Sequence, residues 1–267
     1  MENTFLKWAG GKNWFIKSHS NRFPQNYNRY IDPFLGGGSV FFYLEPQISI
    51  LSDVNQELIT TFNAIRDDWD NVERHLRNHA RQHNEDYYLI RSRNTRTDAT
   101  RAARMIYLNR TCFNGIYRVN RNGKFNVPIG THNNVILDTD RFHERSILLQ
   151  NALIECRDFE ITIDLAQAGD FLFCDPPYAV VDENQRFVGY TKQLFDWNDQ
   201  IRLANALNRA MNRDVLILMT NVNHPEVRAL YENFNGFNMD SVNRYSSISG
   251  LGIGRQEYSE LIVTANY

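Results

Sequence analysis

Short apolar runs rich in β-branched and aromatic residues alternate along the chain with longer stretches whose apolar positions recur at spacings of three and four. The short runs predict strands over Arg29–Asp32, Ile48–Ser52, Ala152–Cys156, Phe171–Asp175 and Val215–Thr220, with a late pair near Asn238–Tyr245 and Glu260–Asn266. The longer ones predict helices over Ser39–Leu44, Asn55–Asp68, Asn71–Asn84, Thr100–Asn109, Trp197–Met211 and Pro225–Tyr231. Strands alternating with helices point to an α/β fold around a mainly parallel sheet. The gap of about a hundred residues between the second and third strands is too long for a crossover and reads as an inserted, largely helical subdomain. Within it, Tyr117–Asn120 and Lys124–Val127 flank Arg121-Asn122-Gly123, the pattern of a β-hairpin turning at Asn-Gly.

A length of 267 residues suits one large domain, or a catalytic domain carrying an insert. With 42% hydrophobic and 22% charged residues, wholesale disorder is excluded. No apolar run is long enough to span a bilayer, and Met1–Gly11 carries Glu2 and Lys7 where a signal peptide would be apolar, so a soluble, cytoplasmic chain is expected. Cys112, Cys156 and Cys174 lack metal-ligand spacing, and the last two lie in apolar runs that read as buried strands; reduced thiols are expected.

The net charge of −2 hides a segregation, because residues 74–145 hold 14 Lys+Arg against 6 Asp+Glu while the rest is acidic. Thirteen of those 14 are arginine, which suits bidentate contacts to phosphate and guanine. A nucleic-acid surface and a solvated helical face both fit the block.

Chemistry concentrates at two strand ends. Asp32-Pro33-Phe34-Leu35-Gly36-Gly37-Gly38-Ser39 follows a strand and precedes a helix, where three glycines let the backbone approach a ligand. The Walker phosphate pattern is absent around Gly10-Gly11-Lys12, and Asp53, ending the next strand, is placed to accept hydrogen bonds from ribose hydroxyls. Together they describe a nucleoside-bearing cofactor, against the alternative of a merely tight turn. Asp175-Pro176-Pro177-Tyr178 follows an apolar run, so its carboxylate and carbonyls face the crevice at a strand's carboxyl end. An exocyclic amino group, with two N–H bonds, fits that acceptor pair, and Tyr178 offers a ring face on which a base stacks. A rigid turn is the plainer alternative.

Lys7-Trp8-Ala9-Gly10-Gly11-Lys12, the Asp32–Ser39 loop and Asp175-Pro176-Pro177-Tyr178, in that order, resemble the Dam-type adenine-N6 DNA methyltransferases of the D12 class. The likeness runs on through Tyr107–Arg118, Gly123–Pro128 and Arg255 with Glu260-Leu261-Ile262-Val263. It implies a Rossmann-like methyltransferase sheet, S-adenosylmethionine as cofactor and duplex DNA as partner, with no metal, no membrane and a monomeric enzyme of a bacterium or phage. It also implies a catalytic domain of residues 1–56 and 146–267, with residues 57–145 as an inserted target-recognition domain containing the hairpin.

By that resemblance Trp8, Lys12, Asp32, Phe34, Gly36, Gly38, Asp53 and Asp175 line the methyl donor, and Asp158 with Phe159 meets its adenine ring. Asp175, Pro176, Pro177 and Tyr178 form the catalytic motif. Lys7, Phe113, Asn114, Ile116, Arg118, Arg121, Lys124 and Pro128 fall on the DNA side, with GATC as the family's site and Phe113 where a tyrosine often inserts into the opened duplex. Ser246 departs from an arginine often found before Ser247-Ile248-Ser249, leaving Arg244 as a substitute.

His75, His79 and His83 recur every four residues and read as a DNA-facing or solvated surface in preference to a metal site. Glu57, Asp67, Asp68 and Asp70 read as flanking an exposed helix, and Cys174 as packing. Cytosine-N4 methylation and an inactive DNA-binding relative remain as alternative functions.

Overall fold

The computed structural model describes residues 4–120, 122–178, 195–245 and 257–267, excluding the side chains of residues 83–85, 244–245 and 257–258. The fold is mixed α/β, with strands β1 (Tyr30–Asp32), β2 (Ser49–Asp53), β3 (Ala152–Cys156), β4 (Phe171–Cys174), β5 (Leu216–Val222), β6 (Asn238–Tyr245) and β7 (Glu257–Ala265). The helices are α1 (Asn13–His19), α2 (Ser39–Leu44), α3 (Gln56–Ser92), α4 (Asp98–Thr111), α5 (Phe142–Leu149), α6 (Phe159–Asp164), α7 (Trp197–Met211) and α8 (Pro225–Glu232). Two compact units divide the chain, one of Met1–Arg22 with Leu35–Arg157 and one of Phe23–Phe34 with Asp158–Tyr267.

In the second unit the strands follow the order β1-β4-β5-β7-β6. β1, β4 and β5 are parallel, and β7 runs antiparallel to both β5 and β6. All four residues of β4 are buried, which is why Phe171–Cys174 reads as an unbroken apolar run: a central parallel strand has no solvent face. Arg29 forms a bidentate pair with Asp170, its Nη2 2.6 Å from Oδ2, and so ties the residues that enter β1 and β4. α7 opens with a reciprocal capping box between Asp196 and Asp199 and buries Leu203, Ala204, Leu207 and Ala210 at helical spacing.

The first unit carries the parallel pair β2 and β3, in register from Ser49↔Ala152 to Asp53↔Cys156. Asn55 caps α3 by accepting from the Glu57 and Leu58 N–H groups. Asn55–Asp68 and Asn71–Asn84, expected as two helices, are helical segments of α3 that meet at a break at Asp68 (φ −152°, ψ 42°), which Asn71 Nδ2 bridges by donating to Asp68 Oδ1; a second non-helical residue, Asp86, interrupts α3 further on. Phe5, Phe42, Phe62 and Phe142 form an aromatic core, with centroids 5.0–6.2 Å apart from Phe5.

Three expectations are corrected in this unit. His79 is buried and lies 5.5 Å from the Tyr107 ring, because its turn of α3 faces α4 instead of solvent. Burial, reinforced by Arg93, His75 and Arg104, pushes its pKa down to about 4. Cys156 is exposed, since it ends β3, whereas Cys112 and Cys174 are buried. Arg110 is buried in a bidentate pair with Asp140 and donates to the Phe5 and Val135 carbonyls, and Arg145 is buried over the Phe42 ring. The basic block therefore contains two arginines committed to packing.

Candidate functional site

In the second unit, β4 ends at Cys174 and delivers Asp175 beyond it, half-buried, with Pro176 buried and Pro177 and Tyr178 partly exposed. The β4–β5 register aligns Cys174 with Met219, which brings Thr220 beside Asp175; its hydroxyl donates to Asp175 Oδ1 at 2.9 Å. Burial, with Asp32 and Asp175 nearby, holds the Cys174 thiol well above its ordinary pKa, so it packs and does not react. Asp32 is buried at the end of β1 and accepts from the Tyr30 hydroxyl at 2.8 Å and the Phe34 N–H at 3.1 Å. That Asx turn starts the glycine loop and presents Phe34.

Phe34 stacks on Phe159 with centroids 5.3 Å apart, and Phe195 meets both rings edge-on or tilted. Asp158 caps α6 through Glu160 N–H at 2.9 Å. The second unit thus joins Asp32, Phe34, Asp158 and Phe159 by direct contacts, an aromatic wall with carboxylates at its edge.

In the first unit, Gly36 and Gly38 have φ of 48° and 70°, in the left-handed region that favours glycine. A Cβ on Gly36 would lie 2.8 Å from Trp8 Cδ1, so the loop backbone lies against the indole. Asp53 Oδ2 accepts from Gly36 N–H at 3.1 Å and Oδ1 from Asn55 N–H at 2.9 Å, fixing the loop to the end of β2. Desolvation raises the Asp53 pKa despite those bonds. Lys12 is buried, its N–H donating to Ser39 Oγ and its ammonium to the Gly10 carbonyl. Trp8, Lys12, Gly36, Gly38 and Asp53 therefore gather around one loop.

The residues expected on DNA also belong to this unit. Asn109, buried at the end of α4, accepts from Lys7 N–H at 2.8 Å and donates to the carbonyls of Lys7 (2.7 Å) and Gly115 (3.3 Å). Trp8 stacks on Tyr117 at 5.7 Å. Phe113 N–H donates to the Pro128 carbonyl, Gly130 N–H to Thr111, and a Cβ on Gly130 would lie 2.6 Å from the Cys112 carbonyl oxygen. Only glycine permits that backbone approach. It leaves Phe113, Asn114, Ile116 and Pro128 exposed, the two large apolar residues at 52% and 47%. The turn after Arg118 is closed by backbone bonds Asn126→Arg118, Asn120→Lys124 and Gly123→Asn120, with one isolated antiparallel bridge, Val119↔Phe125. Arg118 is exposed and donates Nε to Asn126 Oδ1 at 2.9 Å, and Lys124 is exposed at the tip. Arg121, Ser246, Ser247–Ser249 and Arg255 lie outside the described residues, as does the Arg244 side chain.

Among the described residues no His, Cys, Asp and Glu group has the arrangement of a metal site, and no helix is long and apolar enough to cross a membrane. Sequence patterns missed Asn109, Tyr117, Thr220 and Phe195. Asn109 lies in Tyr107–Arg118, where its burial at the end of an apolar helix was the available signal; Thr220 is one polar residue closing an apolar run.

A family model described as D12 class N6 adenine-specific DNA methyltransferase matches residues 8–248. The chain is 36% identical to the Type II methyltransferase M1.LlaDCHI of Lactococcus lactis subsp. cremoris, over 98% of this chain and 95% of that protein. It is 34% identical to the Type II methyltransferase M.MjaIII of Methanocaldococcus jannaschii, over 98% of each. It is 33% identical to the DNA adenine methylase of Haemophilus influenzae, over 97% of this chain and 92% of that protein.

Proposed function

We propose, from a chain that belongs to the D12 class of N6 adenine-specific DNA methyltransferases, that the enzyme takes S-adenosylmethionine as donor and methylates a flipped-out adenine within GATC in duplex DNA. The observation that carries the chemistry is the Asp175 carboxylate held by Thr220 at the end of β4, followed by two prolines and Tyr178.

Asp53 has acceptor capacity for ribose hydroxyls, and Gly36 and Gly38 leave room along the backbone beside Trp8. Phe34 and Phe159 supply ring faces for a purine and Asp158 an acceptor for its amino group. When bound, S-adenosylmethionine supplies an electrophilic methyl on a sulfonium. A stacked base cannot reach such a crevice, so the adenine is extruded at a cost of a few kcal/mol. Phe113 fills the gap and Tyr178 stacks on the base. Hydrogen bonds from the N6 protons to Asp175 and the Pro176 carbonyl favour a pyramidal nitrogen whose lone pair is freed from the ring. Asp175 orients; proton loss from the alkylated amine proceeds to water.

Residues 57–145 are the proposed recognition domain, its Arg118–Asn126 turn acting as the hairpin. Tethering of Arg118 Nε to Asn126 leaves two terminal nitrogens for guanine O6 and N7. Lys7, Asn114, Ile116, Lys124 and Pro128 flank it, and the outer arginines hold phosphates. The Lactococcus and Haemophilus relatives are bacterial, which supports a cytoplasmic site of action.

The test is transfer of labelled methyl to plasmid, identification of the modified base after hydrolysis, and challenge with nucleases that cut only methylated or only unmethylated GATC. N6-methyladenine at GATC is expected. N4-methylcytosine would refute the chemistry, and N6-methyladenine in another sequence would refute the Arg118 assignment alone.

A further inference from the structure

We infer that Arg202 is a positioning residue for the cofactor's base. This rests on the reading of Asp158 and Phe159 as cofactor contacts. Arg202 lies in the first half of α7, and one guanidinium serves three carboxylates. Its Nη2 donates to Asp158 Oδ1 at 2.8 Å, its Nε to Glu160 Oε2 at 3.1 Å and its Nη1 to Asp199 Oδ1 at 2.7 Å. The same guanidinium covers the Phe159 ring, with its central carbon 4.8 Å from the centroid.

The geometry gives Arg202 two effects on two neighbouring groups. Asp158 Oδ1 already receives the Glu160 N–H, so the Arg202 bond saturates that oxygen and leaves Oδ2 as the remaining acceptor. Covering Phe159 fixes the ring plane that Phe34 stacks upon. A planar fork fixed by Asp199 and Glu160 can do both at once; an ammonium keeps one bond and loses the plane. Arg209 is the internal control. Among the described residues it pairs with Glu160 and Asp164 of the same short helix α6 at 2.9 Å, and no hydrogen bond or ion pair joins it to Asp158 or Phe159.

The experiment measures binding of S-adenosylhomocysteine by calorimetry, DNA affinity by anisotropy, and KM and kcat for the donor, in Arg202→Ala, Arg202→Lys, Arg209→Ala and Asp158→Ala, after circular dichroism confirms each fold. Arg202→Ala is expected to weaken the product and raise the donor KM by about tenfold, with kcat and DNA affinity within about twofold. Arg202→Lys should recover part of that loss, and this conservative variant carries the test should the alanine form fail to fold. Arg209→Ala should bind as the parent does. Equal weakening in Arg202→Ala and Arg209→Ala would overturn the inference, since both would then act by loosening α6. Parental affinity in Arg202→Ala beside weak binding in Asp158→Ala would overturn it while sparing the reading beneath. Parental affinity in Asp158→Ala would overturn that reading itself.

Discussion

Thr220 donates its hydroxyl to Asp175 Oδ1 at 2.9 Å, so the strand next to β4 sets the rotation of the motif carboxylate. One oxygen of the carboxylate is thereby held in place. Asp175→Ala should fold and bind DNA yet lose methyl transfer by about 100-fold or more, the scale seen when one aimed polar group is removed. Thr220→Val, which keeps the shape, should lower kcat by a smaller factor with donor affinity unchanged. Steady-state kinetics check both, and near-parental turnover in Asp175→Ala would sink the mechanism.

Asp53 is predicted to control donor binding and leave DNA alone. Asp53→Ala removes the acceptor of Gly36 N–H as well as the ribose acceptor, so donor affinity should fall while the slope of DNA affinity against salt stays at the parental value. Because burial raises the Asp53 pKa, protonation on acidification sets in at a higher pH than for an ordinary aspartate. Donor affinity should decline from that higher pH, and Asp53→Asn should flatten the decline. Calorimetry across pH is the measurement.

Arg110 and Asp140 separate stability from DNA contact. Asp140→Ala strands a buried guanidinium and should cost about 3–5 kcal/mol in urea unfolding. Arg118→Ala, on an exposed turn, should leave the unfolding midpoint unchanged and relax discrimination at one outer base pair. A destabilised Arg118 variant would contradict the surface placement.

His79 makes folding pH-dependent with a definite sign. Its folded pKa, about 4, lies below the ordinary 6.5, so below pH 6.5 the unfolded chain binds the extra proton. Stability is then lost as pH falls from 6.5 toward 4 and levels off beneath, by about 3 kcal/mol over the full span. Unfolding of His79→Gln against the parent at pH 7 and pH 5 checks this, the parent losing more on acidification.

Gly130→Ala should act on DNA binding alone. The added Cβ meets the Cys112 carbonyl and must part the strand-like segment at 128–130 from Phe113, disturbing the exposed apolar tip. Weaker DNA binding with intact binding of S-adenosylhomocysteine is the expected result.

The elements legible in the sequence are those whose pattern needs no context. Ala152–Cys156, Ser39–Leu44 and Trp197–Met211 match the expected limits: the first is a short apolar run, the second starts where three glycines end, and in the third apolar period and the Asp196 cap agree. α1, α5 and α6 escaped: each is six to eight residues, too short for an apolar period to repeat, and α6 carries two β-branched isoleucines. The motif residues of the site were readable, but their supports were not. Asn109, Thr220 and Arg202 act through neighbours 102, 45 and 44 residues away, a distance over which no periodicity carries information. Charge counting failed at Arg110 for a related reason, since composition cannot distinguish a guanidinium that faces phosphate from one that faces Asp140.

Asn109 has a consequence for the order of events on DNA. A single amide grips Lys7 on both sides of its peptide and reaches Gly115 as well, while Trp8, the next residue, rests on Tyr117. On the proposed reading the donor touches one end of this assembly and the duplex the other. If either ligand fixes this assembly in the geometry the other needs, thermodynamic reciprocity makes each tighten the other by the same factor. The enzyme would hold its donor most firmly when it is already seated on a duplex.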